Sequence, residues 1–157
     1  MSERSETALA SLRAQAAELE RVVRTLSDAD WRRICANERW PAGFVALHIA
    51  RGFQRQSEWV EDARSGRAPH RFDWAETHAL NAAIAAAHPA PGRDDVLALS
   101  AASVALIEQA VRAMTDEALA RVAWLYEGTE RDVVWIVGSL AVRHARGHLE
   151  SIAAAVA

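Results

Sequence analysis

The sequence predicts an all-α fold, an antiparallel four-helix bundle with an additional short helix, in one domain spanning residues 1–157. Three observations predict it. Alanine, the best helix former, supplies 35 of the 157 residues. The larger apolar residues recur at three- and four-residue steps over long segments, which places them on one helical face. Short stretches rich in Gly, Pro, Ser and Asp separate those segments. With 7 Gly, 4 Pro and few β-branched runs, an all-β or parallel-sheet fold is close to excluded. A chain of this length buries roughly two-thirds of its surface and folds without needing a disulfide or metal.

Five helical segments follow in order. The first runs from about Glu3 to Leu26, with Leu9, Leu12, Ala16, Leu19, Val22, Val23 and Leu26 on one face. Ser27 to Asp30 reads as a stop and a short turn. The second begins near Pro41, since proline is tolerated in a first helical turn, and ends at Ser65-Gly66. The third, shorter helix spans Asp73 to Ala87 and is ended by His88-Pro89-Ala90-Pro91-Gly92. The fourth runs from about Arg93 to Met114, with Val96, Leu99, Val104, Ile107 and Val111 as its stripe, and Thr115 caps a short extension. Arg121 to Gly128 has no clear period; Val122, Trp124, Leu125 and Tyr126 are compatible with an extended stretch. The last helix is expected to start at Thr129 as N-cap, with Asp132 at its third position, and to run to the C-terminus.

Composition excludes several functions. Every basic residue is Arg, which rules out lysine Schiff-base chemistry and a P-loop lysine. A net charge of -3 and a pI near 6.1 argue against a general nucleic-acid binder. Arg64, Arg67, His70 and Arg71 read as a solvated loop. Cys35 is the only cysteine, so there is no internal disulfide and no cysteine-rich zinc site, and a reducing cytoplasm is compatible. Met1 to Thr7 is polar and mixed in charge, unlike a signal peptide. The longest apolar stretch, Val133 to Val142, is half of a membrane span and contains Gly138 and Ser139. A cytoplasmic protein acting on a small molecule, with neither nucleic acid nor membrane as partner, is the expectation.

The chemical signal lies in the histidines. His144 and His148 are four apart on one helix, hence vertical neighbours whose rings can converge on one ion. Alone, such a pair is commonly a surface or half-buried feature, and the sequence lacks His-Glu-x-x-His. His48 lies among apolar neighbours in Phe44-Val45-Ala46-Leu47-His48-Ile49-Ala50 and is expected to point inward. An inward histidine is usually one that is simply hydrogen-bonded. A bundle core with inward histidines from facing helices is also where metal sites are built, and three neutral nitrogens leave coordination positions open. His70 and His88 fall beside prolines in loops.

Glu38-Arg39-Trp40-Pro41, followed by His48 seven residues after Pro41, and a final helix carrying His144-x-x-x-His148-Leu149-Glu150-Ser151-Ile152 resemble the DinB-like superfamily. The resemblance covers essentially the whole chain. That superfamily includes mycothiol-dependent maleylpyruvate isomerase and related thiol-dependent S-transferases. The resemblance implies a four-helix bundle with a divalent metal, often zinc or nickel, held by His48, His144 and His148. It further implies an enzyme in which a low-molecular-weight thiol is activated, an S-transferase or isomerase. The alternative is a non-catalytic metal- or ligand-binding stress-response module of the same fold. A homodimer is common in the family, and Ala-rich helices can approach closely enough for one through a bundle face, but the sequence shows no dimer seam.

Around that site, Arg51 and Arg55 follow His48 by three and seven residues on nearly the same face, and can present guanidinium groups to an anion or snorkel to solvent. Asn81, in an Ala-rich helix where Asn carries a propensity cost, is a candidate substrate contact and matches a position where family members often carry Asn. His78 reads as exposed. Glu58 and Glu150 are poorly placed to orient a metal-bound imidazole, and Tyr126 and Glu127 can reach the cavity mouth as proton donor or acceptor. Cys35 reads as structural. Trp31, Trp40 and Trp135 are expected in the core or at helix ends, and Trp59, Trp74 and Trp124 along a pocket.

Overall fold

The computed structural model describes residues 1–157. Helix α1 (Glu3–Thr25) starts where the Ser2 hydroxyl accepts a hydrogen bond from the Ser5 amide, with Glu3 and Glu6 in its first turn and Arg24 in its last. Its apolar stripe is buried as the spacing predicts, with Leu9, Leu12, Leu19 and Val23 fully enclosed. The Ser27 side chain caps a one-turn helix α2 (Asp28–Trp31). Strands β1 (Ile34–Cys35) and β2 (Trp40–Pro41) form a small antiparallel hairpin ahead of α3 (Ala42–Arg64).

The bundle consists of α1, α3, α5 (Arg93–Arg112) and α8 (Ala141–Val156). Helices α1 and α3 each pack against both α5 and α8. Side chains across the interfaces give the directions. Arg13 pairs with Glu108 and Glu6 with Arg112, so α1 and α5 are antiparallel. Gly52 of α3 meets His144, while Glu38 just ahead of α3 reaches Ser151, so α3 and α8 are antiparallel. Arg4 pairs with Asp132 and Ala8 meets Gly138, so α1 runs with the final helical segment. Two neighbouring helices therefore run one way and two the other. The core is filled by residues such as Phe53, Ile49, Ile107, Ile136 and Ile152.

The connection from α3 to α5 contains β3 (His70–Arg71) and the short helix α4 (Trp74–Ala87), which Asp73 caps through its side chain. No residue of α4 is fully buried, and Trp74 and Leu80 are 53% and 41% exposed. After α5 comes the short extension, α6 (Asp116–Leu119), capped by Thr115 as expected.

Two local expectations are corrected. Thr129 does not cap the last helix. It begins β5 (Thr129–Asp132), which pairs antiparallel with β4 (Val122–Tyr126), the extended stretch. The turn between them places Glu127 at φ 45° and Gly128 at φ 77°, a pair of positive φ values suited to a two-residue hairpin turn. Asp132 is the true cap: its carboxylate accepts from the Trp135 amide at 2.7 Å and opens α7 (Val133–Trp135). A π-helical turn (Ile136–Leu140) then leads into α8. His70 is likewise not in a loop. It lies in β3, parallel to β4 and opposite Trp124, with its ring stacked on Trp59 at 4.3 Å. No helix is long and apolar enough to cross a membrane.

Candidate metal centre

The three histidines predicted from the sequence come together. His48 sits in the second turn of α3, where the flanking Leu47 and Ile49 are buried and Trp40 lies 5.3 Å away, itself held edge-on against Phe44. His144 and His148 project from successive turns of α8, just beyond the π-helical turn, a device frequent at functional sites. The three ring centroids form a near-equilateral triangle with sides of 4.8, 4.7 and 4.7 Å. The Nε2 atoms of His48 and His144 lie 3.0 Å apart. One nitrogen from each of the three rings falls within 4.8 Å of the others. A tetrahedral ion at 2.0–2.1 Å from two nitrogens holds them about 3.3 Å apart, so the His48–His144 pair is already near that spacing and the three rings together could hold a metal ion.

Two residues that the sequence reading did not single out as functional shape the cluster. Glu38, in the hairpin loop between β1 and β2, accepts from His148 Nδ1 at 2.7 Å and from Ser151 Oγ at 2.5 Å. It fixes the His148 tautomer and leaves Nε2 to face the other rings, the usual arrangement of a carboxylate behind a metal-binding imidazole. Arg39, next in the chain, takes a left-handed φ of 59° to close that loop. The carboxylate was visible only as part of a motif, because nothing in its spacing from His148 reveals that a hairpin folds it against α8. Gly52 is the second. A Cβ there would stand 2.5 Å from His144 Cε1 and 2.7 Å from Nδ1. The ring can lie against α3 only because residue 52 lacks a side chain. A glycine inside a helix, one turn after a histidine, was the available signal.

Burial keeps the His48 and His144 imidazoles in the ligand form. Burial lowers the His48 pKa to about 4, assisted by the charges of His148 and Arg55 and opposed by Glu38. Burial, then His48 and His148, hold His144 well below its ordinary value. Neutral nitrogens are what a cation requires. Burial pushes the Glu38 carboxyl up, but hydrogen bonds from Ser151 and His148 outweigh it and hold it below the usual range. Cys35 is fully buried, and burial with the nearby Glu38 raises its thiol pKa, so it stays protonated, as suits a structural role.

The cluster lies at a cavity of about 620 Å³ between α3, α4 and α8. Arg51, Arg55 and Asn81 all line it, as does His78, which stacks on Trp74 at the exposed rim. Trp59 and Trp74 line it as expected, and so does Trp40. Trp124 does not; it is buried against Trp135. Tyr126 and Glu127 belong to the β4–β5 hairpin outside the cavity lining, Glu150 is exposed, and Glu58 is an exposed group at the cavity edge.

A helical bundle that gathers three histidines from facing helices, in a cluster able to hold a metal ion, defines the class of protein. Residues 11–152 match the DinB superfamily, and the chain belongs to that superfamily. No curated protein and no solved structure matches the chain at a significant level.

Proposed function

We propose that this protein is a divalent-metal-dependent enzyme that activates a low-molecular-weight thiol, as an S-transferase or isomerase, with His48, His144 and His148 as the metal ligands. The observation that carries the reading is the gathering of one ring nitrogen from each of three histidines at an accessible cavity. Three protein ligands leave at least one position for an exogenous group. Zinc or nickel suits such nitrogen donors. A bound divalent cation would supply a thiolate at neutral pH by deprotonating a coordinating thiol.

The chain's own residues then have defined tasks. Glu38 orients His148 through Nδ1 and raises its basicity as a donor. Gly52 lets His144 approach α3. Trp40, Trp59 and Trp74 give the cavity beside the histidines apolar walls. The protein's one cysteine is buried and takes no part, which is why the nucleophile is assigned to a cosubstrate. Mycothiol is a candidate, alongside bacillithiol and glutathione.

The test is transfer of each thiol to monochlorobimane by metal-loaded protein. Turnover that needs metal and disappears on changing all three histidines to Ala supports the reading. Stoichiometric metal with no turnover from any thiol leaves the non-catalytic binding module in its place.

A further inference from the structure

Arginine pairing across the molecule is uneven. Nine of the 18 arginines form ion pairs with Asp or Glu. The unpaired ones are exposed to solvent, with two exceptions, Arg51 and Arg55, and both line the cavity beside the histidines. Arg51 donates from Nη1 to Gln54 Oε1 at 3.0 Å, while its Nε is buried with no partner. The Arg55 guanidinium carbon lies 5.3 Å from the Trp59 ring centre and has no carboxylate in ion-pair range. Gln56, 4% exposed, brings a buried amide oxygen without a partner to the same wall. Sequestering a guanidinium with no counter-charge is unfavourable unless an anion completes it.

The two carboxylates on this cavity do not serve. Glu38 is engaged by His148 and Ser151. Glu58 is exposed, and its field only partly offsets the lowering of the Arg55 pKa by burial. Trp40, Trp59, Phe72 and Trp74 give the cavity flat apolar walls. Guanidinium forks favour planar, two-oxygen partners.

We propose that the cavity binds an aromatic carboxylate, with Arg55 and Arg51 holding its carboxylate group and the tryptophan and Phe72 rings packing its body beside the three histidines. This names the substrate class for the thiol-dependent reading and rests on it for the reaction. The anion site itself needs no metal. Its carboxylate belongs to the electrophile rather than to the thiol cosubstrate, because the walls that accompany it are aromatic.

The experiment is calorimetric titration of metal-stripped protein with 2-naphthoate, with its neutral amide 2-naphthamide, and with glutathione as a carboxylate-bearing thiol without a ring. The expected result is binding of the naphthoate, with the amide weaker by about tenfold or more. Arg55→Gln is expected to reduce the naphthoate to the level of the amide, with Arg55→Lys in between. Equal affinity for acid and amide overturns the proposal without needing any variant to fold. So does binding of glutathione alone, which would place the carboxylate on the thiol. Naphthoate binding to metal-stripped protein, in a protein that fails to turn over any thiol, keeps this site and removes the proposed activity.

Discussion

Gly52 and Glu38 decide whether three histidines become one donor set. Adding a methyl at residue 52 gains helix propensity of about 1 kcal/mol, yet it would press on His144 at 2.5 Å. Gly52→Ala is therefore expected to leave a folded bundle whose zinc affinity, read by chelator competition, falls by about tenfold or more. Unchanged affinity would mean that His144 is not a ligand. Glu38→Gln keeps the shape of the side chain but removes the charge behind His148, and a loss of about 10- to 100-fold in metal affinity is expected.

Protonation follows the same residues. The folded-state pKa of His48 is lowered to about 4, and that of His144 is also lowered, while in the unfolded chain both approach 6.5. The unfolded state then binds more protons throughout that window. Metal-free protein should hold its full stability above about pH 6.5 and lose it progressively as pH falls toward 4. Urea midpoints at several pH values would show this, and replacing His48 and His144 with Gln should flatten the curve. A wild-type curve that is already flat would contradict their burial as neutral rings.

Among the elements, long periodic helices were legible and junctions were not. The stripe of α1 reads directly from Leu9, Leu12, Leu19 and Val23 because burial enforces the helical period. Thr129 and Asp132 are both good capping residues three positions apart, and local chemistry does not choose between them. Pairing of Thr129–Asp132 with β4 makes the choice, and it arises from contacts that no local pattern encodes. The turn offered a weaker signal, since Glu127-Gly128 is not among the strongest hairpin pairs and Glu127 must hold φ 45°. Glu127→Asn should therefore stabilise the protein by a few tenths of a kcal/mol to about 1 kcal/mol, seen as a raised thermal midpoint. Gly138 marks another junction, where a Cβ would meet Ala8 Cβ at 2.8 Å and its backbone Cα at 3.2 Å. Gly138→Ala must displace α1 and is expected to cost about 1–3 kcal/mol.

Across the whole molecule, the bundle brings residues from distant parts of the chain to one cavity. The histidine set was legible because i,i+4 spacing and apolar neighbours are local properties, and the resemblance named the same three positions. The carboxylate behind His148 was not legible, since Glu38 and His148 meet only through the packing of a hairpin on α8. The arginines were legible as a face of α3, but that they alone are both half-buried and without an ion-pair partner is a property of the packed chain. Both the proposed thiol chemistry and the anion site depend on how that cavity is lined.

The central claim is that His48, His144 and His148 form one divalent-cation site. Titration of metal-stripped protein with zinc and with nickel, followed by calorimetry and thermal melting, tests it most directly. One equivalent bound per chain is predicted, with a raised melting temperature that the His48→Ala, His144→Ala, His148→Ala triple variant lacks. No binding of either ion, or equal binding and stabilisation of the triple variant, would contradict it.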